Sequence, residues 1–203
     1  MSERFPGLLE ERLDPEPLRQ FEQWFEAASA AMPLAEAAAL ATANRQAEPS
    51  LRMVLVKGWD SGGFVFYSNH ESRKGQELET NPAAALLFYW PVLGRQVRLE
   101  GRVERLAPID SDRYFATRPR ASQIGAAVSA QSRPIAGRAE LDRGVAEFEA
   151  KLGEGPVPRP AWWGGYRLQP TSYEFWQQQE GRLHDRVRYR ADAQGWRMER
   201  LQP

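Results

Sequence analysis

A chain of 203 residues is long enough for one core-bearing domain and short for two, so it is read as a single domain, 1–203, with a short N-terminal arm over 1–13. Lysine plus arginine and aspartate plus glutamate both number 27, which excludes the global basic field that nucleic acid or an anionic membrane would select; any anion site must be local. The chain has no cysteine, which excludes disulfides, thiolate metal sites and a cysteine nucleophile, and no apolar run approaches the roughly 20 residues that span a bilayer. The acidic opening MSERFPGLLEERLDPEPL lacks the pattern of a signal peptide, and the expected location is cytoplasmic.

In LDPEPLRQFEQWFEAASAA, Asp14 as N-cap, Pro15 at the first helical position and Leu18, Phe21, Phe25 and Ala28 at helical spacing predict an amphipathic helix. EAAALATA, LRMVLVKGW and GFVFYSN read as strands, the last two joined by the turn Asp60-Ser61-Gly62-Gly63. A short helix with Ser72 as N-cap stops at Asn81-Pro82. AAALLFYW and RQVRLEGRVERL follow as strands; in the second, Val97, Leu99 and Val103 alternate with polar residues, so one face is buried. IDSDRYFATR and AELDRGVAEFEAKL carry helical spacing and are expected to pack outside the sheet. After the Pro- and Gly-rich connector GEGPVPRPAWWGG, the segments YRLQPTSYEFWQ, DRVRYRA and GWRMERL give further short strands. Five to seven strands with hairpin signals predict a mainly β protein with peripheral helices, an antiparallel barrel rather than a doubly wound fold.

Cationic residues concentrate in a few stretches. Arg52 and Lys57 lie in one apolar strand with opposite parity, which calls for two separate anionic groups or a bulge. Arg73-Lys74 opens the short helix, where backbone N–H groups favour an anion. Tyr114, Arg118 and Ser122, spaced by four, would share the oxygens of one phosphate if the helix persisted, although Pro119 disturbs it. In EFWQQQEGRLHDRVRYR, period-two alternation puts Arg182, His184 and Arg186 on one face. Each of these has a bland alternative as a solvated charge, and Trp162-Trp163 reads as core or interface. Two histidines 114 residues apart and no thiol give no metal-ligand spacing, and no Gly-x-Ser-x-Gly turn supports a hydrolase. The side chains supply binding groups without an evident reactive one, which points to a cofactor that brings its own chemistry.

EFWQQQEGRLHDR resembles the C-terminal signature of the pyridoxamine 5'-phosphate oxidases, and RMVLVKG, FVFYSNHESRKGQELETNP, GRQVRLEGRVERL, YFATRPRASQIGAAVSAQS and PRPAWWGGYRL follow the same family in order. The resemblance implies an FMN-binding split β-barrel, a homodimer with FMN between subunits, that oxidises pyridoxine or pyridoxamine 5'-phosphate to pyridoxal 5'-phosphate while O2 becomes hydrogen peroxide. It implies Arg52, Ser68, Arg73 and Lys74 around the FMN phosphate and ribityl chain. Met53, Val54, Leu55, Val56, Tyr67, Gln96, Gln131, Ser132, Trp176 and Arg186 would form the rest of the flavin site. Lys57, Tyr114, Arg118 and Ser122 would clamp the substrate phosphate, with Lys57 also touching the flavin, and Arg182 and His184 would act at the substrate ring.

Two departures qualify the likeness. The family commonly carries a longer N-terminal arm that covers the substrate, so a shortened or absent lid is expected here, and Gln178, Gln179, Glu180 and Gly181 stand where small residues are common, which would reshape the substrate pocket. The competing readings are an oxidase of the same fold acting on a non-phosphorylated ring, as in phenazine biosynthesis, a non-catalytic carrier of FMN or pyridoxal phosphate, and a bare structural barrel.

Overall fold

The computed structural model describes residues 5–203. Of the arm over 1–13, residues 1–4 therefore lie outside the described part. Helix α1 runs from Pro17 to Ala31. The expected start at Asp14 and Pro15 gives way to a turn in which Asp14 Oδ1 accepts the N–H of Glu16 at 2.9 Å, so Pro17 takes the first helical position, where its missing donor costs nothing. The buried stripe of α1 is Phe21, Trp24 and Ala28.

Six antiparallel strands form the barrel: β1 (Ala37–Ala43), β2 (Pro49–Asp60), β3 (Gly63–Asn69), β4 (Ala83–Trp90), β5 (Arg95–Arg105) and β6 (Trp163–Gln177). Their order is β3-β2-β1-β4-β5-β6, and β3 also pairs with β6, which closes the cylinder. The strands β7 (Asp185–Asp192) and β8 (Gly195–Arg200) continue the sheet outward from β6. Alternation sends Leu40, Val56, Phe64, Phe66, Leu86, Phe88, Val97 and Leu99 inside, each at most 1% exposed. Ring contacts join Phe21 to Trp59, Phe64, Phe88 and Trp90, so α1 plugs one end of the barrel. The opposite parity of β2 leaves Leu51 and Met53 69% and 64% exposed, and the register Met53–Ala39–Leu87 extends this apolar outer face across three strands.

Two irregularities adjust the register. Lys57 has no partner in the β2–β3 ladder, which shifts between Val56 and Gly58. Between β5 and β6 the register slips by one at Glu100 and Gly101, opposite Pro170. Pro170 donates nothing to a ladder, and a β-carbon at Gly101 would sit 2.0 Å from the carbonyl of Gln169, so only glycine admits the close crossing. The segment read as a short strand from Tyr166 is thus one bent strand of 15 residues.

The helices lie outside the barrel, as expected: α2 (Arg73–Thr80), α3 (Pro108–Thr117), α4 (Arg120–Val128) and α5 (Arg138–Leu152). Ser72 Oγ caps α2 by accepting the N–H of Gly75. The helix α4 was not expected. Thr117 ends α3, Arg118 and Pro119 are extended with ψ of 148° and 139°, and a new helix starts at Arg120. Tyr114, Arg118 and Ser122 therefore do not share one helix face. Phe115, Ile124, Val157 and Trp163 form a second, smaller core under α3, α4 and α5.

Phe21 is fully buried at the junction of α1 and the barrel. Phe21→Ala should lower the free energy of unfolding by about 3–5 kcal/mol, read as a reduced urea midpoint at unchanged m.

Candidate functional site

Three cations gather where α2 meets the ends of β2 and β3. Lys74, only 8% exposed, points its Nζ at Ser68 Oγ (3.1 Å), Ser72 Oγ (3.3 Å) and Gln131 Oε1 (3.0 Å). All three acceptors are neutral, and burial, followed by the charge of Arg52, lowers the ammonium to about 8. Arg52 donates to the Leu40 carbonyl at 3.1 Å, to the hydroxyls of Thr42 and Ser50, and to Glu77 at 3.3 Å. Arg73 Nε reaches the other oxygen of Glu77 at 2.9 Å. Burial alone would raise Glu77, but hydrogen bonds from Ser50, Thr42 and Arg73 and the charge of Arg52 hold its carboxyl at about 2. Glu77 was not singled out from sequence, although its place four residues after Arg73 in a helix is the spacing at which such pairs meet.

Beside this cluster opens a cleft of about 440 Å³ that brings together Lys57, Tyr67, Ser68, Tyr114, Arg118, Ser122 and Gln131. They come from β2, β3, α3, the α3–α4 junction, α4 and the loop after it, so Tyr114, Arg118 and Ser122 meet through the extended link at Arg118 and Pro119 rather than along one helix. Tyr67 and Tyr114 stack at 3.8 Å, and Trp163 lies parallel to both. The Arg118 guanidinium sits 4.6 Å over the Trp163 ring, and its buried Nη1 has no hydrogen-bond partner among the described residues. Burial lowers its pKa. Trp163 was expected in a core or interface and packs in the second core while also walling this cleft. Lys57 keeps a 3.3 Å ion pair with Glu36.

The remaining residues are dispersed. Leu55 lines the same cleft, Met53 is on the exposed apolar face, Val54 packs partly against the core and Val56 is buried inside the barrel. Ser132, at a φ of 73°, lines a separate groove against α5, which Gln131 also borders.

A second cleft of about 240 Å³ holds Gln96, Trp176 and Arg186, aligned by the registers Gln96–Trp176 and Trp176–Arg186 across β5, β6 and β7. Glu174 bridges two cations there, Arg186 Nε at 2.9 Å and Arg98 at 2.5 Å, and this hydrogen bond raises Arg186. The expected alternation of Arg182, His184 and Arg186 does not occur: Gly181 and Arg182 both take φ of 63°, and the strand begins only at Asp185. Arg182 is exposed in a tight turn, while His184 packs on Trp176 with ring centroids 4.6 Å apart. The two clefts share no lining residue.

Residues 25–151 match the family model described as pyridoxamine 5'-phosphate oxidase, and residues 163–203 match the pyridoxine 5'-phosphate oxidase C-terminal dimerisation region. The chain is 54% identical to a pyridoxine/pyridoxamine 5'-phosphate oxidase of Rubrobacter xylanophilus over 97% of its length and 91% of that protein. The corresponding protein of Bordetella pertussis is 51% identical, over 97% and 93%. Among solved structures, PhzG from Burkholderia lata in complex with tetrahydrophenazine-1-carboxylic acid superposes with a TM-score of 0.91 at 31% identity, covering 98% of this chain and 99% of that one. An FMN-binding protein from Nostoc punctiforme, 15% identical with a TM-score of 0.74 over 92% and 98%, shares the fold. The architecture is the split barrel of these proteins.

Glu77 is held below its ordinary value of 4.5, so its contribution to stability is complete above that pH and is lost as pH falls towards about 2. Glu77→Gln should cost about 1–3 kcal/mol at neutral pH and flatten the acid limb of stability between those limits, measured by urea unfolding across pH.

Proposed function

The chain belongs to the pyridoxamine 5'-phosphate oxidase family, and from that premise we propose that it oxidises pyridoxamine and pyridoxine 5'-phosphates to pyridoxal 5'-phosphate with FMN as cofactor, O2 being reduced to hydrogen peroxide. The observation that carries the reading is the unpartnered, buried Nη1 of Arg118 in a cleft shared with Lys57, Tyr114 and Ser122. A buried guanidinium donor without an acceptor is costly, and a phosphate oxygen of the substrate satisfies it.

The residues also fit FMN. Arg52, Arg73 and Lys74 carry three positive charges and Glu77 removes one, leaving about two, the charge of a phosphomonoester at neutral pH. Lys74 has only neutral acceptors, so a phosphate is its missing counter-charge, with Ser68 as a further donor. When bound, FMN supplies the two-electron acceptor that oxygen afterwards regenerates. The chain's own part is alignment. Lys57, Tyr114, Arg118 and Ser122 fix the substrate by its phosphate, and Arg182 and His184 orient its ring. The backbone N–H of Gln179 donates to His184 Nδ1 at 3.1 Å, so in the neutral imidazole the proton resides on Nε2, which can serve as a donor to a ligand. Holding reactants in a near-attack geometry is worth up to roughly 7–11 kcal/mol of the barrier.

The two clefts become one site in a homodimer. The exposed apolar face of Leu51, Met53 and Leu55 gives the partner a surface to cover, and it leads by the register Met53–Ala39–Leu87 to the cleft of Gln96, Trp176 and Arg186. In this arrangement Arg52, Arg73 and Lys74 of one subunit hold the cofactor phosphate while Gln96, Trp176, Arg186 and the Arg182–His184 turn of the other close over the flavin and substrate rings.

Mixed anaerobically with the FMN-loaded protein, pyridoxamine 5'-phosphate should bleach the flavin absorbance and unphosphorylated pyridoxamine should not. Arg118→Ala should raise the substrate concentration required by about 10- to 100-fold while FMN stays bound. Bleaching by a non-phosphorylated ring alone would move the assignment to an oxidase resembling PhzG, and bound flavin that no candidate reduces would make the protein a carrier.

Lys74→Met and Arg186→Ala should each be inactive alone. If sites are shared between subunits, unfolding the two together and refolding them should restore about one quarter of wild-type activity, because half the dimers are mixed and each holds one intact site. No recovery would place each site within one chain.

A further inference from the structure

The turn that carries Arg182 and His184 is tied at its base to both ends of the chain. Asp185, the first residue of β7, accepts the side-chain Nε2 of Gln179 at 2.8 Å on Oδ2, which binds the two sides of the turn together. The same oxygen accepts the backbone N–H of Leu8 at 3.1 Å. Its other oxygen takes Arg200 Nη1 at 2.7 Å. Arg200 in turn grips both oxygens of Glu10 at 2.7 Å, through Nε and Nη2, and the Leu8 carbonyl at 2.5 Å. Gln179 Nε2 also reaches the Pro6 carbonyl at 3.3 Å. A β-carbon on Gly94 would lie 2.7 Å from the Phe5 ring and 3.0 Å from Gln178, so the arm is seated directly against the residues that lead into the turn.

Isolated ion pairs at a surface contribute little, but this guanidinium uses all three of its nitrogens in a bidentate carboxylate pair, a second carboxylate and a carbonyl. The geometry is matched by the charge response: the hydrogen bond from Arg200 holds Glu10 at about 2, and Glu10 and Asp185 together raise Arg200. Inside the turn, the Gln179 N–H that donates to His184 Nδ1 belongs to the residue whose side chain is anchored at Asp185 and Pro6. Two left-handed residues in succession, one of them the non-glycine Arg182, are a conformation that its surroundings must impose.

We propose that Gln179, Asp185, Arg200 and Glu10 are positioning residues, a clamp between the N-terminal arm and β8 that fixes the Arg182–His184 turn and the tautomer of His184. The inference rests on the assignment of that turn to the substrate ring. It gives the arm a role other than a lid, since residues 6–10 act from beneath the turn, and it gives Gln179, which replaces a small residue of the family pattern, a specific task.

The test reads the turn without relying on turnover. The chain has only two histidines, so ¹⁵N-histidine labelling yields two imidazole spin systems, separable because partial burial and the charges of Arg105 and Arg159 lower His70 to about 4. In the FMN-loaded wild type, recorded on the alkaline plateau where the imidazole signals no longer move with pH, His184 should show a protonated Nε2 and a bare Nδ1. Gln179→Ala and Arg200→Ala should move both nitrogens towards the average of the two tautomers, and Arg200→Lys should move them less. In parallel, kcat for pyridoxamine 5'-phosphate should fall about tenfold in the alanine variants with FMN affinity unchanged within about twofold. Unshifted His184 nitrogens in both alanine variants would overturn the clamp, as would a loss of FMN equal to the loss of turnover. Absence of wild-type oxidation would defeat the proposed reaction and leave the imidazole measurement to decide the clamp by itself.

Discussion

Closure of the barrel by the β3–β6 ladder is the constraint on which the rest depends. It runs from Phe64–Leu168 to Asn69–Trp163 and brings Tyr67 and Ser68 beside Gly165 and Gly164. A β-carbon on Gly165 would sit 2.5 Å from Leu106 and 2.9 Å from the Tyr67 ring. The bare backbone therefore lets Tyr67 lie flat against Tyr114 and Trp163, and that aromatic wall carries Arg118. Once the cylinder is closed, strand parity divides every barrel residue into core or outer face, and the candidate site is drawn from the outer face and the strand ends.

Charge is arranged by the same logic on a smaller scale. The chain is neutral overall, yet each cation group is governed by one buried carboxylate: Glu77 spaces Arg52 and Arg73, and Glu174 spaces Arg98 and Arg186. A carboxylate that is itself desolvated holds a guanidinium in a fixed direction and leaves the outward donors free. Among the described residues, Lys74 and Arg118 have no such carboxylate at hydrogen-bond distance, and on the proposed reading each takes a phosphate instead.

What could be read from the amino acids follows from the range of the forces involved. The limits of β3, β4 and α2 were legible because turn residues, a Ser72 cap and a proline stop act over a few residues. So was the buried row Val97, Leu99 and Val103, since a one-sided strand must alternate. The helix after Pro119 was not, because a proline that breaks one helix can equally introduce the next, and only packing of Ile124 into the second core selects that outcome. Alternation failed at Arg182 for a different reason: left-handed backbone at Gly181 and Arg182 cancels the period of two, and Asp185, where the strand resumes, is bonded by Leu8 and Arg200, 177 and 15 residues away. Glu174 was invisible for the same cause, as its partner Arg98 lies 76 residues away, whereas Glu77 showed only its local pairing with Arg73 and not its bonds to Thr42 and Ser50, 35 and 27 residues away.

The parity conflict between Arg52 and Lys57 shows how local irregularity and assembly combine. Both a bulge and a separation of targets were open solutions, and the structure uses both: the ladder slips at Lys57, and Arg52 turns in towards Glu77 while Lys57 reaches the cleft of Tyr114 and Arg118. A strand that presents one cation to each side of the sheet can serve two phosphates without bringing them together. The intervening Met53 and Leu55 are then left outside on an apolar surface. On the proposed reading, burying that surface against a second copy lays the strand between a cofactor phosphate and a substrate phosphate, so the residues that favour association would also space the reactants.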